Sequence, residues 1–248
     1  MKSAATGSVP LLVISFFAGM WTTGVYYNYY RDKEYGMKAL PEKLLRQFVQ
    51  MVDKLPRPSI YEKHIYYVDF QTFGKQQPTY INLVRDPLER RISGYYYMRF
   101  GRIEGNQKEK RTEEERAQTF DDCVLNNMWE CDEFGPKTFT MTQFFCGQES
   151  ICMEPSQMAV ERAKENIRRH YAVVGVLEEF SSFLKVLEVV MPQFLPVKAD
   201  GTSEDGNKDT PFGEEPRIMR QRLHVDYQVY DFIKERFHMQ KTQLGIKD

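Results

Sequence analysis

Residues 79–101 read TYINLVRDPLERRISGYYYMRFG. Tyr80, Ile81, Leu83 and Val84 make a short apolar run, rich in β-formers, of the length expected for a strand covered on both faces. The character then changes: Asp86 can cap a helix, Pro87 suits a first helical position, and Glu89 stands three residues after the cap. Arg85 is left at the carboxyl end of the strand. Open α/β sheets bind ligands at that edge, and a guanidinium beside the free N–H groups of a new helix suits a phosphate. Ser93 lies further along the same helix, about 9 Å from Pro87 along the axis. On pattern alone, an ordinary strand, turn and helix with an exposed Arg accounts for the same residues.

With 248 residues the chain is long enough for a sizeable core, and one α/β domain is the default. The formal net charge of −1 means that a polyanionic partner has to be met by a local patch. A nucleic-acid partner is not expected. Four cysteines, Cys123, Cys131, Cys146 and Cys152, fall within thirty residues and include no C-x-x-C, which argues against a zinc ribbon or a redox pair. Two small disulfide loops formed in an oxidising compartment suit the clustering, and four buried thiols are the alternative.

No charged residue occurs between Ser3 and Tyr30, and residues 9–27, VPLLVISFFAGMWTTGVYY, are long enough to cross a bilayer. A signal-anchor over residues 1–35 is expected, with residues 36–248 on the lumenal side. A cleaved signal peptide and an atypical N-terminus are the other options. Leu44, Leu45, Phe48, Val49 and Val52 fall at helical spacing after Pro41. Residues 60–70, IYEKHIYYVDF, predict a strand with His64 near its start. A lone His in that setting is more often structural than catalytic. Residues 156–169 suit a helix capped by Ser156, residues 171–177 predict a buried strand, and Phe180, Phe183, Leu184 and Leu187 follow at helical spacing. Residues 196–216 predict a loop, and a last helix over 225–237 sets Val229, Phe232 and Ile233 inward. Strand followed by helix, three times over, argues a parallel sheet with helices packed on it.

The run INLVRDPLERRISGYYYMRFG resembles the 3′-phosphate-binding segment of the uronic acid 2-O-sulfotransferases of glycosaminoglycans, a family of heparan sulfate, uronyl and Pipe-type enzymes. The resemblance covers about residues 40–237. It implies a three-layer P-loop-like α/β fold with a central parallel sheet. It also implies that Arg85 and Ser93 hold the 3′-phosphate of 3′-phosphoadenosine 5′-phosphosulfate, and that His64 is the general base. Heparan sulfate members carry a second His where this chain has Glu62, so the resemblance is greater to the uronyl and Pipe branches. The family's P-K-x-G-S-T turn, which cradles the 5′-phosphosulfate, has no match, so the first β-loop-α unit is expected to be lacking. The 248 residues alone are therefore expected to transfer no sulfate.

The resemblance further implies pairing of Cys123 with Cys131 and of Cys146 with Cys152. Arg99, Arg102, Lys110 and Arg111 become acceptor-binding candidates, in a stretch from Arg85 to Arg111 with eight basic and four acidic residues. On composition alone such a run is usually a solvated surface. Lys208 is the candidate for covering the nucleotide. The activity implied is transfer of sulfate to the 2-hydroxyl of a uronic acid in a sulfated glycosaminoglycan or a glycoprotein glycan. No metal is implied, and the setting is the Golgi membrane, as a single-pass type II protein with a lumenal domain. A homo-oligomer is left open, and a catalytically inactive relative acting as a binding subunit is the alternative. A P-loop kinase ranks lower because no Walker set for Mg²⁺ is present.

Overall fold

In a computed structural model the chain is described at residues 11–14, 28–31, 39–100, 112–128, 130–131, 140–192 and 215–247. For residues 11–14, 28–31, 97–100, 115–116 and 215–216 only the backbone is described.

The predicted strand of the opening stretch is β4 (Thr79–Val84), and its neighbours are β1 (Leu11–Ile14), β2 (Asn28–Arg31), β3 (Ser59–Glu62) and β5 (Tyr171–Val176). They form one parallel sheet in the order β2-β3-β1-β4-β5. Successive residues of a strand face opposite sides. Val173 and Val174 are both buried, as are Ile81, Asn82 and Leu83, so β4 and β5 are covered on both faces. That is the environment their near-continuous apolar runs require.

Two expectations change at the amino end. Leu11–Ile14, inside the stretch predicted to span a membrane, instead pairs with both β3 and β4. A strand hydrogen-bonded on both sides within a sheet cannot belong to a membrane helix, and among the described residues no helix is long and apolar enough to cross a bilayer. The same strand supplies a first β element where none was expected. Residues 15–27 lie outside the described residues.

Helices close the sheet. α1 (Glu42–Asp53) buries Leu45, Phe48, Val49 and Val52 against Tyr61, Ile65, Val68 and Phe70, while Leu44 stays exposed. α2 (Pro87–Phe100) follows β4 and packs with α4 (Phe120–Leu125) and α8 (Glu215–Arg222) around Leu88, Tyr95, Phe120, Met219 and Leu223. A short α3 (Glu113–Ala117) precedes α4. The largest apolar cluster joins β4 and β5 to α5 (Met141–Cys146), α6 (Gln157–His170), α7 (Phe180–Val190) and α9 (His224–Gln243). Ser156 caps α6 through Ala159 N at 3.2 Å, as its position predicts. Gly175 is required in β5, because a Cβ there would lie 2.2 Å from the Phe183 ring. In α9, Val229 and Ile233 are buried, and Phe232 is only half-buried with Arg168 over its ring.

Candidate active site

The parallel sheet brings the carboxyl ends of β3, β1 and β4 to one edge, with Ile14 in register with both Glu62 and Ile81. His64 stands two residues beyond β3 and Arg85 one residue beyond β4. With β1 between them, their strands are about 9–10 Å apart. This is the edge at which such sheets bind ligands.

Arg85 is about one-third exposed, and its guanidinium pairs with Glu89 of the next helical turn, Nη2 to Oε2 at 3.0 Å. Asp86 caps α2: its Oδ1 accepts from Leu88 N at 2.9 Å and from Glu89 N at 3.1 Å. Those N–H groups are therefore engaged by the protein itself, contrary to the expectation that they face a ligand freely. The reciprocal half of the capping box comes from elsewhere. Glu178, just past β5, accepts the Asp86 N–H at 2.8 Å, which leaves the Glu89 carboxylate for Arg85. Tyr227 and Tyr230 of α9 complete the joint, donating to Asp86 Oδ1 at 3.0 Å and to Glu178 Oε2 at 3.2 Å. Burial first, and the adjacent carboxylates second, hold both phenols well above their ordinary pKa. Ser93 lies exposed on α2.

His64 has a different setting from the one predicted. β3 stops at Glu62, so His64 follows a strand instead of opening one. Beyond it the backbone leaves the ladder: Tyr67 N donates to Phe144 O at 2.9 Å, and Gln148 Nε2 donates to Tyr66 O at 2.9 Å. Val68 O accepts from the Tyr80 hydroxyl at 2.8 Å, and Phe70 opens a 3₁₀ turn at Phe70–Phe73. The aromatic, β-branched run 65–70 is buried by these partners, which is why it resembles a strand.

A cleft of about 740 Å³ opens beside the start of α2, between Asp86, Leu88 and Glu89 on one side and Arg220, His224, Tyr227 and Lys234 on the other. Arg220 lies over the Tyr227 ring at 5.0 Å. Deeper, Asp226 of α9 is buried and accepts from Met141 N, Thr142 N and Thr142 Oγ1 at 2.7–2.8 Å, so that it caps α5. Arg90 of α2 is desolvated beside it. Burial lowers its pKa against the opposing pull of Asp226 and Tyr66.

Cys123 bonds to Cys131 and Cys146 to Cys152, with Cα separations of 5.9 and 5.4 Å. Arg102, Lys110, Arg111 and Lys208 lie outside the described residues, and Arg99 is described by its backbone within α2. Among the described residues no cluster of His, Cys, Asp or Glu suited to a metal is found. Glu178, Tyr227, Tyr230 and Asp226 had no role at the level of sequence. Glu178 and Asp226 accept from backbone N–H groups 84 to 92 residues away, and Tyr227 and Tyr230 donate to carboxylates 141 and 52 residues away, separations at which no local pattern survives.

No protein-family model matches the chain. Over 217 residues, 81% of the chain, it is 34% identical to uronyl 2-sulfotransferase of Mus musculus and of Homo sapiens. Over 140 residues, 56% of the chain, it is 39% identical to heparan sulfate 2-O-sulfotransferase 1 of Mus musculus. The chain spans about half the length of the uronyl relatives, 53%, and 38% of the heparan sulfate one. It is a homologue of the uronic acid 2-O-sulfotransferases.

Proposed function

We propose that the chain forms part of a sulfotransferase site that transfers sulfate from 3′-phosphoadenosine 5′-phosphosulfate to the 2-hydroxyl of a uronic acid in a glycosaminoglycan. The observation that carries this is the placement of His64 and Arg85 at one edge of a parallel sheet, in a homologue of 2-O-sulfotransferases. Arg85, with Ser93 one helical face along, holds the donor's 3′-phosphate by charge-assisted hydrogen bonds, displacing Glu89. The donor supplies the sulfuryl group. His64 takes the proton of the acceptor hydroxyl while that oxygen bonds to sulfur. The bond from sulfur to the 5′-phosphate oxygen breaks, and its electron pair leaves with the nucleotide. Arg99, Arg102, Lys110, Arg111 and Lys208 are the basic residues offered to the polyanionic acceptor and the nucleotide. Two disulfides suit an oxidising compartment, and the Golgi lumen belongs to this proposal on that ground.

Between Ser15 and Tyr27 the chain has no Lys or Arg to neutralise charge at the 5′-phosphosulfate. Loss of one preorganised donor costs about 10² to 10³ in rate, so the 248 residues alone are expected to be silent. The test is radiolabelled sulfate transfer to desulfated heparan and dermatan, by this chain and by a form carrying a P-K-x-G-S-T unit. Transfer by the second form, lost in His64→Ala, is expected. Absence of transfer by both would overturn the proposal.

A further inference from the structure

The segment after His64 runs at the sheet edge without joining the ladder, so its backbone groups must find partners elsewhere. Ile65 N turns back to Lys63 O at 3.1 Å, Val68 O takes the Tyr80 hydroxyl, and the partners between them come from α5 and the turn that follows it. Tyr67 N donates to Phe144 O at 2.9 Å, Gln148 Nε2 donates to Tyr66 O at 2.9 Å, and the Tyr66 hydroxyl reaches Gln143 Oε1 at 3.3 Å. Gly147, at φ +118°, lets the chain turn against this segment, since a Cβ there would come within 2.9 Å of Tyr67 O. The Cys146–Cys152 bridge closes the loop that carries Gly147 and Gln148. Gln148 Oε1 also accepts from Leu40 N at 2.8 Å, so its amide is held at both ends. At its other end, the N–H groups of Met141 and Thr142 in α5 donate to Asp226 of α9, whose neighbour Tyr227 donates at 3.0 Å to Asp86, at the head of the helix that carries Ser93.

We propose that the end of α5, with Gln148 as its central contact, is a positioning clamp that sets His64 relative to the donor-anchoring helix. This rests on His64 being the general base. α5 is a rigid spacer of six residues, about 9 Å long. One end is tied to the segment two residues after His64 and the other to the surroundings of α2. Gln148 is a positioning residue: its amide holds the backbone that aims the imidazole.

The variants that test this are chosen to act on single bonds. Gln148→Glu keeps the acceptor for Leu40 N and removes the donor to Tyr66 O; Gln148→Ala removes both. Tyr66→Phe deletes one hydroxyl and keeps the packing. The primary readout is the imidazole spectrum of the four histidines by ¹H–¹³C NMR, with His64 assigned through His64→Gln. His224 and His238, on α9, serve as internal controls. The expected result is a displaced His64 resonance with an altered titration midpoint in both Gln148 variants, a smaller change in Tyr66→Phe, and unmoved His224 and His238. Affinity for 3′,5′-adenosine diphosphate stays within about twofold. In a form that transfers sulfate, turnover falls by roughly 10- to 100-fold, the scale on which a misplaced catalytic group costs rate.

An unmoved His64 resonance in all three variants would overturn the clamp, as would a shift of all four histidines together. Displacement of His64 without any sulfate transfer by the P-K-x-G-S-T-bearing form would uphold Gln148 as the residue that places His64 while refuting the proposed function and His64 as its base.

Discussion

Three side chains at the β4–α2 joint divide the work. Asp86 holds the helix, Glu89 holds Arg85, and Arg85 is the cation proposed to meet the donor. Because the Glu89 carboxylate sits where an anionic ligand would bind, Glu89→Gln should strengthen binding of 3′,5′-adenosine diphosphate by a few fold. Unchanged or weaker binding in calorimetry would show that the pair does not compete with the ligand. His64→Ala should lower turnover of an active form by roughly 10² to 10⁴ and leave nucleotide affinity nearly unchanged. An equal loss of nucleotide affinity would make His64 structural. The strand end before Arg85, the Asp86 cap and the helix that carries Ser93 were legible in sequence because they follow one another within nine residues, whereas the role proposed for Arg85 and Ser93 rests on the resemblance. Glu178 was not, because it supplies the missing half of the cap from 92 residues away.

Among the elements, those with a strong local period were found where the sequence puts them. β4, β5 and α6 each carry a near-continuous apolar run or a helical stripe with a recognisable start, whereas α9 lacks a side-chain cap and runs six residues past the predicted end at 237. Residues 63–69 were misjudged because aromatic and β-branched residues look alike whether a strand or a helix end buries them. The stretch around Leu11–Ile14 was misjudged for a related reason: a central parallel strand is apolar on both faces, as a membrane segment is. The α5 cap shows what such long-range contacts contribute. Asp226→Ala would leave Met141 N and Thr142 N without their acceptor and Arg90 without its neighbouring charge. A loss of about 2–4 kcal/mol is expected in urea denaturation, since buried donors to a charged acceptor are left unsatisfied. A loss under about 1 kcal/mol would mean that the buried N–H groups of α5 find other acceptors.

At the scale of the molecule, the parallel α/β sheet and both disulfide pairs were legible, the pairs through resemblance to the family and not through spacing. Stability should also respond to pH through His170, which stacks on Tyr67 at 5.3 Å where β5 begins. Burial lowers its pKa below 6.5, outweighing the pull of Asp69. The folded state thus binds this proton less readily than the unfolded chain. Its contribution is fully present above about pH 6.5 and is lost as the pH falls through the lower folded value. His170→Asn should flatten that part of the profile in denaturation at pH 7.5 and 5.5, and an unchanged slope would count against it. The central claim is that the β4–α2 joint recognises a 3′-phosphate. Calorimetry of 3′,5′-adenosine diphosphate and of 5′-adenosine monophosphate, with the wild type and with Arg85→Ala, tests it most directly. A loss of about 1.5–3 kcal/mol for the diphosphate alone is predicted, and parallel losses for both nucleotides, or none for either, would contradict it.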